Sequence, residues 1–446
     1  PRGVAANVSA MGTSSQYARY VKTRVYVGAI TLVSLFLRLF HLGTPKGFVF
    51  DEVYYVDGAR DYLAHGVEVT GNEPEFVVHP PVGKWLIALG IKIFGDNEFG
   101  WRFMGALLGS VMIVLIALIA HRLFRNSYLT IAASALMAMD GLALVHSRTA
   151  LLDIYLAFFV LLATYFFLVR WHWWAGIALG LAVATKWSAL YYLALFAVVA
   201  LYRSFSHNTG RDLIKPSLKT ITQYALIPFS IYITSWTGWF ASNRGWARDY
   251  SNNVITSFVH YHSQMLGFHT GLVEKHSYQA NPWSWLIMGR PTSFFYETPK
   301  SCGTDHCSQE VLALGTPILW WLATIAVAVV IGYWIRSFAV KRYEPPLNVI
   351  VTGIAAGYLD VVATVAIYHW LPPVAGLVAA FVVTGAGPGM GQALCRGAAR
   401  EGAKVVVNDL GGSLQGGDEG SAGPAEQVAR EIRAAVSLDF TTTSPV

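Results

Sequence analysis

Adjacent carboxylates, Asp51 and Glu52, stand in GFVFDEVYYVDGARDYLAHG, directly after the first long apolar run of the chain. A carboxylate at a membrane boundary is partly desolvated, which raises its basicity toward that of a useful general base. An acidic pair that caps or hydrates an interfacial helix is the plainer reading of the same dipeptide. In VVHPPVGKWL, two prolines fix the backbone between His79 and Lys84 and turn a cation toward the interface. There it suits phosphate recognition, or simple snorkelling. Arg148 and Asp153, in HSRTALLDIYLAFF, are costly at a span entrance unless they are paired or serve a site. The planar fork of Arg148 fits a phosphate, and an Arg to Asp structural pair is the alternative. Lys186 and Trp187 lie between two apolar halves in ATKWSALYY, either as site residues or as interface anchors.

The segments SFVHYHSQMLGFHTGL and EKHSYQANPWSWLIMGRP are rich in His and aromatic residues. His260, His262, His269 and His276 match no common ligand spacing, so no metal site is predicted. Aromatic and His side chains at such a surface anchor a loop or stack on sugar rings with the same flat faces. Cys302 and Cys307 are close enough in sequence for a local disulfide, although spacing alone does not decide it.

These residues need elements to carry them, and the composition says which. The chain has 446 residues, 54% hydrophobic and only 13% charged, against about a quarter charged in soluble proteins. That excludes an ordinary soluble enzyme and predicts one helical membrane body. The net charge of +6 does not imply nucleic acid. Apolar runs lie at about 25–42, 102–120, 128–146, 151–169, 173–202, 220–240, 314–335 and 347–368. The run at 173–202 is long enough for two short spans broken near Lys186, and the amphipathic stretch from Lys84 is expected along the interface. Arg122 with Arg125, Arg170, the group Arg203 to Lys219 and the group Arg336 to Arg342 alternate onto one face, which the positive-inside rule makes cytoplasmic. The loops 43–101 and 241–313, the turn at Arg148 and the break at Lys186 then share the outer face. Scattered charges also suit a transporter, but here they gather at one interface instead of mid-span.

Taken in order, FDEVYY, HPPVGKWL, SRTALLDIYL, TKWSALYY, SFVHYH with FHTGL, HSYQANPWSWL and ALGTPILWW resemble the bacterial protein O-mannosyltransferase family, in particular its actinobacterial members. The likeness covers about residues 25–355. It implies an α-helical polytopic GT-C glycosyltransferase in the plasma membrane. Such an enzyme moves mannose, with inversion, from polyprenyl phosphate mannose to Ser or Thr of secreted proteins on the extracytoplasmic face. Carried over by motif, Asp51 is the general base, with Glu52 beside it. Arg148, Lys84 and Lys186, with His79, steady the lipid phosphate, and Asp153 orients Arg148. Tyr54, His262, His269 and Trp283 are the expected sugar or acceptor contacts. No cofactor is required, and the need for a divalent cation stays open. The implied partners are the lipid-linked donor, membrane lipid, and polypeptides emerging at the Sec translocon.

The domain reading is a cytoplasmic segment 1–23, a membrane body 24–355, a divergent apolar junction 356–380 and a fragment 381–446. In the last, TGAGPGMG and VVVND place Gly385, Gly389, Gly391 and Asp409 at the spacing of a dinucleotide fingerprint. This stretch resembles the start of a short-chain dehydrogenase, a Rossmann-like α/β unit. A single β-α-β unit buries too little surface to stand alone, and no dehydrogenase activity is expected. A membrane-anchored nicotinamide-binding protein is the competing functional reading.

Overall fold

The computed structural model describes residues 2–207, 210–271, 284, 287–298 and 307–339. The helices are α1 (Arg2–Leu39), α2 (Glu52–His65), α3 (Val82–Phe94), α4 (Glu98–Phe124), α5 (Ser127–Met139), α6 (Gly141–Ser147), α7 (Leu152–Leu168), α8 (His172–Val183), α9 (Ala189–His207), α10 (Ile214–Ile221), α11 (Ile227–Ser235), α12 (Thr237–Ala241), α13 (Val254–Gly271) and α14 (Pro317–Ala339). Two small sheets accompany them, β1 (Val69–Thr70) with β2 (Glu73–Pro74), and β3 (Thr292–Glu297) with β4 (Gln309–Ala313).

Helix starts follow the local sequence. Asn97 Oδ1 accepts from Phe99 N and Gly100 N, both at 3.1 Å, and so caps α4. Asn126 caps α5 in the same way, and Asp140 Oδ2 caps α6 through Ala143 N at 2.9 Å. Ala18–Leu39 and Glu98–Phe124 are long and apolar enough to cross a membrane. Ser127–Met139 and Gly141–Ser147 are long and apolar enough only when taken together, and they are bent by 61° at the break between them. Leu152–Leu168, His172–Val183, Ala189–Phe205 and Pro317–Tyr333 are shorter apolar helices. The expected break between α8 and α9 is present around Lys186, whereas the run at 220–240 divides into a π-helical turn, Thr222–Leu226, followed by α11 and α12. The apolar run at 347–368 lies outside the described residues.

The chain forms two units. The first comprises Pro1–Val67, Pro80–Gly238 and Ser293–Thr352. Its core gathers Val56, Ile87, Leu151, Leu152 and Tyr155, all at most 2% exposed. Helix α3 does not merely lie on an interface, because Lys84, Ile87, Ala88 and Ile91 are buried on its packed face. A Cβ on Gly90 would come within 2.3 Å of the Gly100 carbonyl oxygen, so glycine lets α3 and α4 touch backbone to backbone. In lipid, apolar burial supplies little driving force between helices, so close packing and buried polar bonds carry more of the stability. The second unit includes Glu68–His79 and Trp239–Thr292. There Tyr261 Oη donates to the Val77 carbonyl at 3.0 Å, and Phe76 packs among Trp246, Tyr261 and Phe268.

Candidate active site

The acidic pair divides its roles. Glu52 is fully buried and forms an ion pair with Arg102 at 2.7 Å, both side chains having no exposed surface. Its Oε1 accepts from Arg102 Nε at 2.8 Å and Ala150 N at 2.8 Å; its Oε2 accepts from Arg102 Nη2 at 2.7 Å and Val49 N at 2.8 Å. Arg102 spends its remaining donors on the carbonyls of Leu42 at 3.3 Å, Pro45 at 2.9 Å and Gly47 at 2.9 Å. Neither group has capacity left for a substrate. Glu52, expected beside Asp51 in catalysis, pins the loop after α1 to α4 and to the segment before α7.

Asp51, one residue earlier, is placed differently. It precedes the first turn of α2, and its Oδ2 accepts from Tyr55 Oη at 3.4 Å. Desolvation pushes its pKa up to about 6, against the opposing field of Lys186 and with the aid of Asp153. Those two residues form an ion pair, Lys186 Nζ to Asp153 Oδ1 at 2.9 Å. Asp153 lies in the first turn of α7, where the helix dipole favours a carboxylate, and Lys186 lies in the break between α8 and α9. The Asp153 side chain is 40% exposed, while that of Lys186 is 9% exposed.

Two motifs distant in sequence meet at that break. Val82 N, in HPPVGKWL, donates to the Ala184 carbonyl at 2.9 Å, and the Cα of Gly83 faces Leu152 and Thr185 so closely that a Cβ would lie 2.5 Å from Leu152 Cδ2. Lys84 follows on α3, 2% exposed, with its Nζ 6.0 Å from the Tyr62 ring centroid. Tyr54, on the first turn of α2, is 65% exposed.

Arg148 does not pair with Asp153. Its Nη1 donates to the carbonyls of Leu37 at 2.8 Å, Arg38 at 2.9 Å and Phe40 at 2.7 Å, and its Nη2 to that of His41 at 3.1 Å. The Leu37 and Arg38 carbonyls are among those that the end of α1 leaves without helical partners, and a cation is favoured there. Arg148 and Asp153 are close in sequence but belong to the ends of two different helices, so they face different partners. Sequence reasoning also passed over His146, on α6, which is within electrostatic reach of Asp153 and Lys186 and whose buried Nδ1 has no hydrogen-bond partner among the described residues. Its only signal was its place in the motif HSRTALLDIYL. Arg102 was missed as well, although a charge at the head of an apolar run is itself a reason to look for a partner.

In the second unit, His269 is 3% exposed; its Nε2 is 3.1 Å from the Val78 carbonyl oxygen and its ring 5.7 Å from that of His79. His262 Nδ1 is 2.9 Å from the Phe258 carbonyl oxygen, and burial pushes its pKa down to about 4. Each of these two histidines has one ring nitrogen at a backbone carbonyl. Among the described residues, no group of three or more His, Cys, Asp or Glu could hold a metal ion. Cys307 is disulfide-bonded. Trp283, Gly385, Gly389, Gly391 and Asp409 lie outside the described residues.

Comparison with known proteins gives this geometry a family. Residues 28–97 and 78–236 match two family models, each described as dolichyl-phosphate-mannose-protein mannosyltransferase. Residues 254–371 match a third, the C-terminal four TMM region of protein-O-mannosyltransferase, so the family pattern runs past residue 355, where it was expected to stop. A polyprenol-phosphate-mannose–protein mannosyltransferase of Mycobacterium tuberculosis is 34% identical over 397 residues, covering 75% of this chain and 74% of that protein. A protein of the same name from Corynebacterium glutamicum is 33% identical over 387 residues, covering 71% and 72%. The solved Pmt1-Pmt2 protein O-mannosyltransferase complex of S. cerevisiae, bound to the sugar donor, aligns with a TM-score of 0.59 at 15% identity over 93% of this chain and 89% of that one. The dehydrogenase-like reading of residues 381–446 finds no support in these comparisons. The chain belongs to the dolichyl-phosphate-mannose-protein mannosyltransferase family and is a multi-pass membrane glycosyltransferase of the GT-C fold.

Proposed function

We propose that this chain transfers mannose, with inversion, from polyprenyl phosphate mannose to Ser or Thr hydroxyls of secreted polypeptides on the extracytoplasmic face of the plasma membrane. The observation that carries the mechanism is the placement of Asp51, a desolvated carboxylate whose charge is felt by the Asp153–Lys186 pair. Asp51 takes the proton of the acceptor hydroxyl. The hydroxyl oxygen attacks the anomeric carbon, the bond from that carbon to the phosphate oxygen breaks, and its electron pair leaves with the polyprenyl phosphate. Lys186 and Lys84 hold the charge developing on that phosphate, as fixed cations in a dry site do best. Asp153 orients Lys186, and Arg148 keeps its part in the scaffold.

Tyr54 supplies the exposed ring for the sugar or the acceptor. The cation-rich loops on the opposite side support an outward-facing site, where acceptors arrive unfolded, as at the Sec translocon. The test uses washed membranes, polyprenyl phosphate mannose and an acceptor peptide. Asp51→Asn abolishes transfer while the protein still inserts and folds; full activity of that variant refutes the base. The nicotinamide-binding alternative is tested on the intact chain, which is expected to leave NADH fluorescence unchanged.

A further inference from the structure

The turn that carries Asp51 is held by a distant part of the chain. Phe50, immediately before the base, has a φ of 53°. An aromatic residue rarely adopts this left-handed backbone, which persists only where neighbours impose it. Its ring stacks on Phe294 of β3, with centroids 4.6 Å apart and planes 15° from parallel. Phe294 is 8% exposed, and its ring meets His146 edge-on at 5.4 Å and 84°.

The sheet that carries Phe294 is itself anchored. Just beyond β4, Asp140 Oδ1 accepts from Thr316 N at 3.2 Å and Trp320 Nε1 at 2.9 Å, and Gly141 N donates to Thr316 Oγ1 at 3.0 Å. A Cβ on Gly141 would lie 2.5 Å from the Leu314 carbonyl oxygen. The bend between α5 and α6 thus fixes the end of β4, the sheet carries Phe294, and Phe294 meets the residue next to the base.

We propose that Phe294 is a positioning residue for transfer: stacked on Phe50, it holds the turn that presents Asp51 and keeps water from the carboxylate. This rests on the reading of Asp51 as base, which Asp51→Asn tests separately. With that base intact, the wild-type rate rises with pH through about 6, where Asp51 ionises. Removing the ring admits water, lowers the pKa of Asp51 toward the ordinary carboxylate range and loosens its aim.

The experiment measures transfer against pH for Phe294→Ala, Phe294→Leu and Phe294→Tyr in washed membranes. Phe294→Ala lowers plateau kcat about 10- to 100-fold, the cost of a small misplacement of a reacting group. It leaves the donor KM within about twofold and moves the acidic limb down by about one pH unit, part of the way to an ordinary carboxylate. Phe294→Tyr, which keeps the ring, restores both. Phe50→Ala copies Phe294→Ala, and the double variant loses no more than either single one. If Phe294→Ala does not fold, Phe294→Leu shows the same shift in smaller measure. An unmoved acidic limb in the folded variants, whether or not kcat falls, overturns the proposal, because a merely structural role does not retune Asp51.

Discussion

Two charge clusters begin at consecutive residues and end in opposite uses. Around Glu52 every donor of Arg102 and both carboxylate oxygens are satisfied inside the protein, with no exposed surface on either side chain. Around Asp51 the groups are charged but incompletely enclosed, and Asp153 keeps 40% of its side chain exposed. A saturated buried ion pair stabilises one arrangement of the loop after α1 and has nothing left for a ligand. An open one retains field and hydrogen-bonding capacity that a phosphate or hydroxyl can use. In the proposed mechanism the chemistry sits where the polar network is unfinished, and the finished network next to it holds the turn in place.

The sharpest way to break that contrast is to swap the test between neighbours. Glu52→Gln leaves the Arg102 charge buried without a counterion and sets an amide N–H against donors that need an acceptor. Its expected cost is about 3–5 kcal/mol, read as loss of monodisperse protein in detergent. Asp51→Asn is expected to fold normally and lose transfer. A Glu52→Gln variant that melts like wild type erases the distinction between the clusters. Lys186→Gln comes next. It removes one cation from the leaving phosphate and lowers kcat about 100-fold, the usual effect of one lost charge-stabilising donor, while Lys186→Arg recovers part of it and the melting temperature changes little. Arg148→Gln has a smaller effect of the opposite kind. It frees the carbonyls at the end of α1 and costs about 1–3 kcal/mol of stability, with transfer per folded molecule within about threefold of wild type. A large loss of transfer there returns Arg148 to the phosphate.

The sequence showed what local pattern can show. Apolar runs predicted most of the helices, and the polar interruption at Lys186 predicted the break between α8 and α9, because both signals lie within a few residues of the structure they specify. The desolvated position of Asp51 was readable from its place at the end of the first apolar run. Pairing was not readable. Glu52 and Arg102 are 50 residues apart and Lys186 and Asp153 are 33 apart, and no periodicity links residues on different helices. Nearness in sequence pointed the other way for Arg148 and Asp153, since a break between α6 and α7 sends them to different neighbours. Phe50 carried no sequence signal, because an aromatic residue in a turn says nothing of its φ or of the ring that meets it.

The smallest expected effect separates the cost of the base from its use. The folded-state pKa of Asp51, about 6, lies above its ordinary value of 3.8. Between those values the native state holds a proton that the unfolded chain has lost, so stability falls as pH rises through this window. Below about 4 both states are protonated and the residue costs nothing. Above about 6 the full penalty is present, of the order of 1–3 kcal/mol. Asn at this position never ionises. Asp51→Asn is therefore expected to melt at a higher temperature than wild type at pH 7, with the difference shrinking to zero near pH 4, as followed by intrinsic fluorescence in detergent. If the gap is absent at pH 7, or persists unchanged to pH 4, Asp51 is hydrated like any surface carboxylate, and the contrast between an open, strained cluster and a closed, relaxed one fails at its centre.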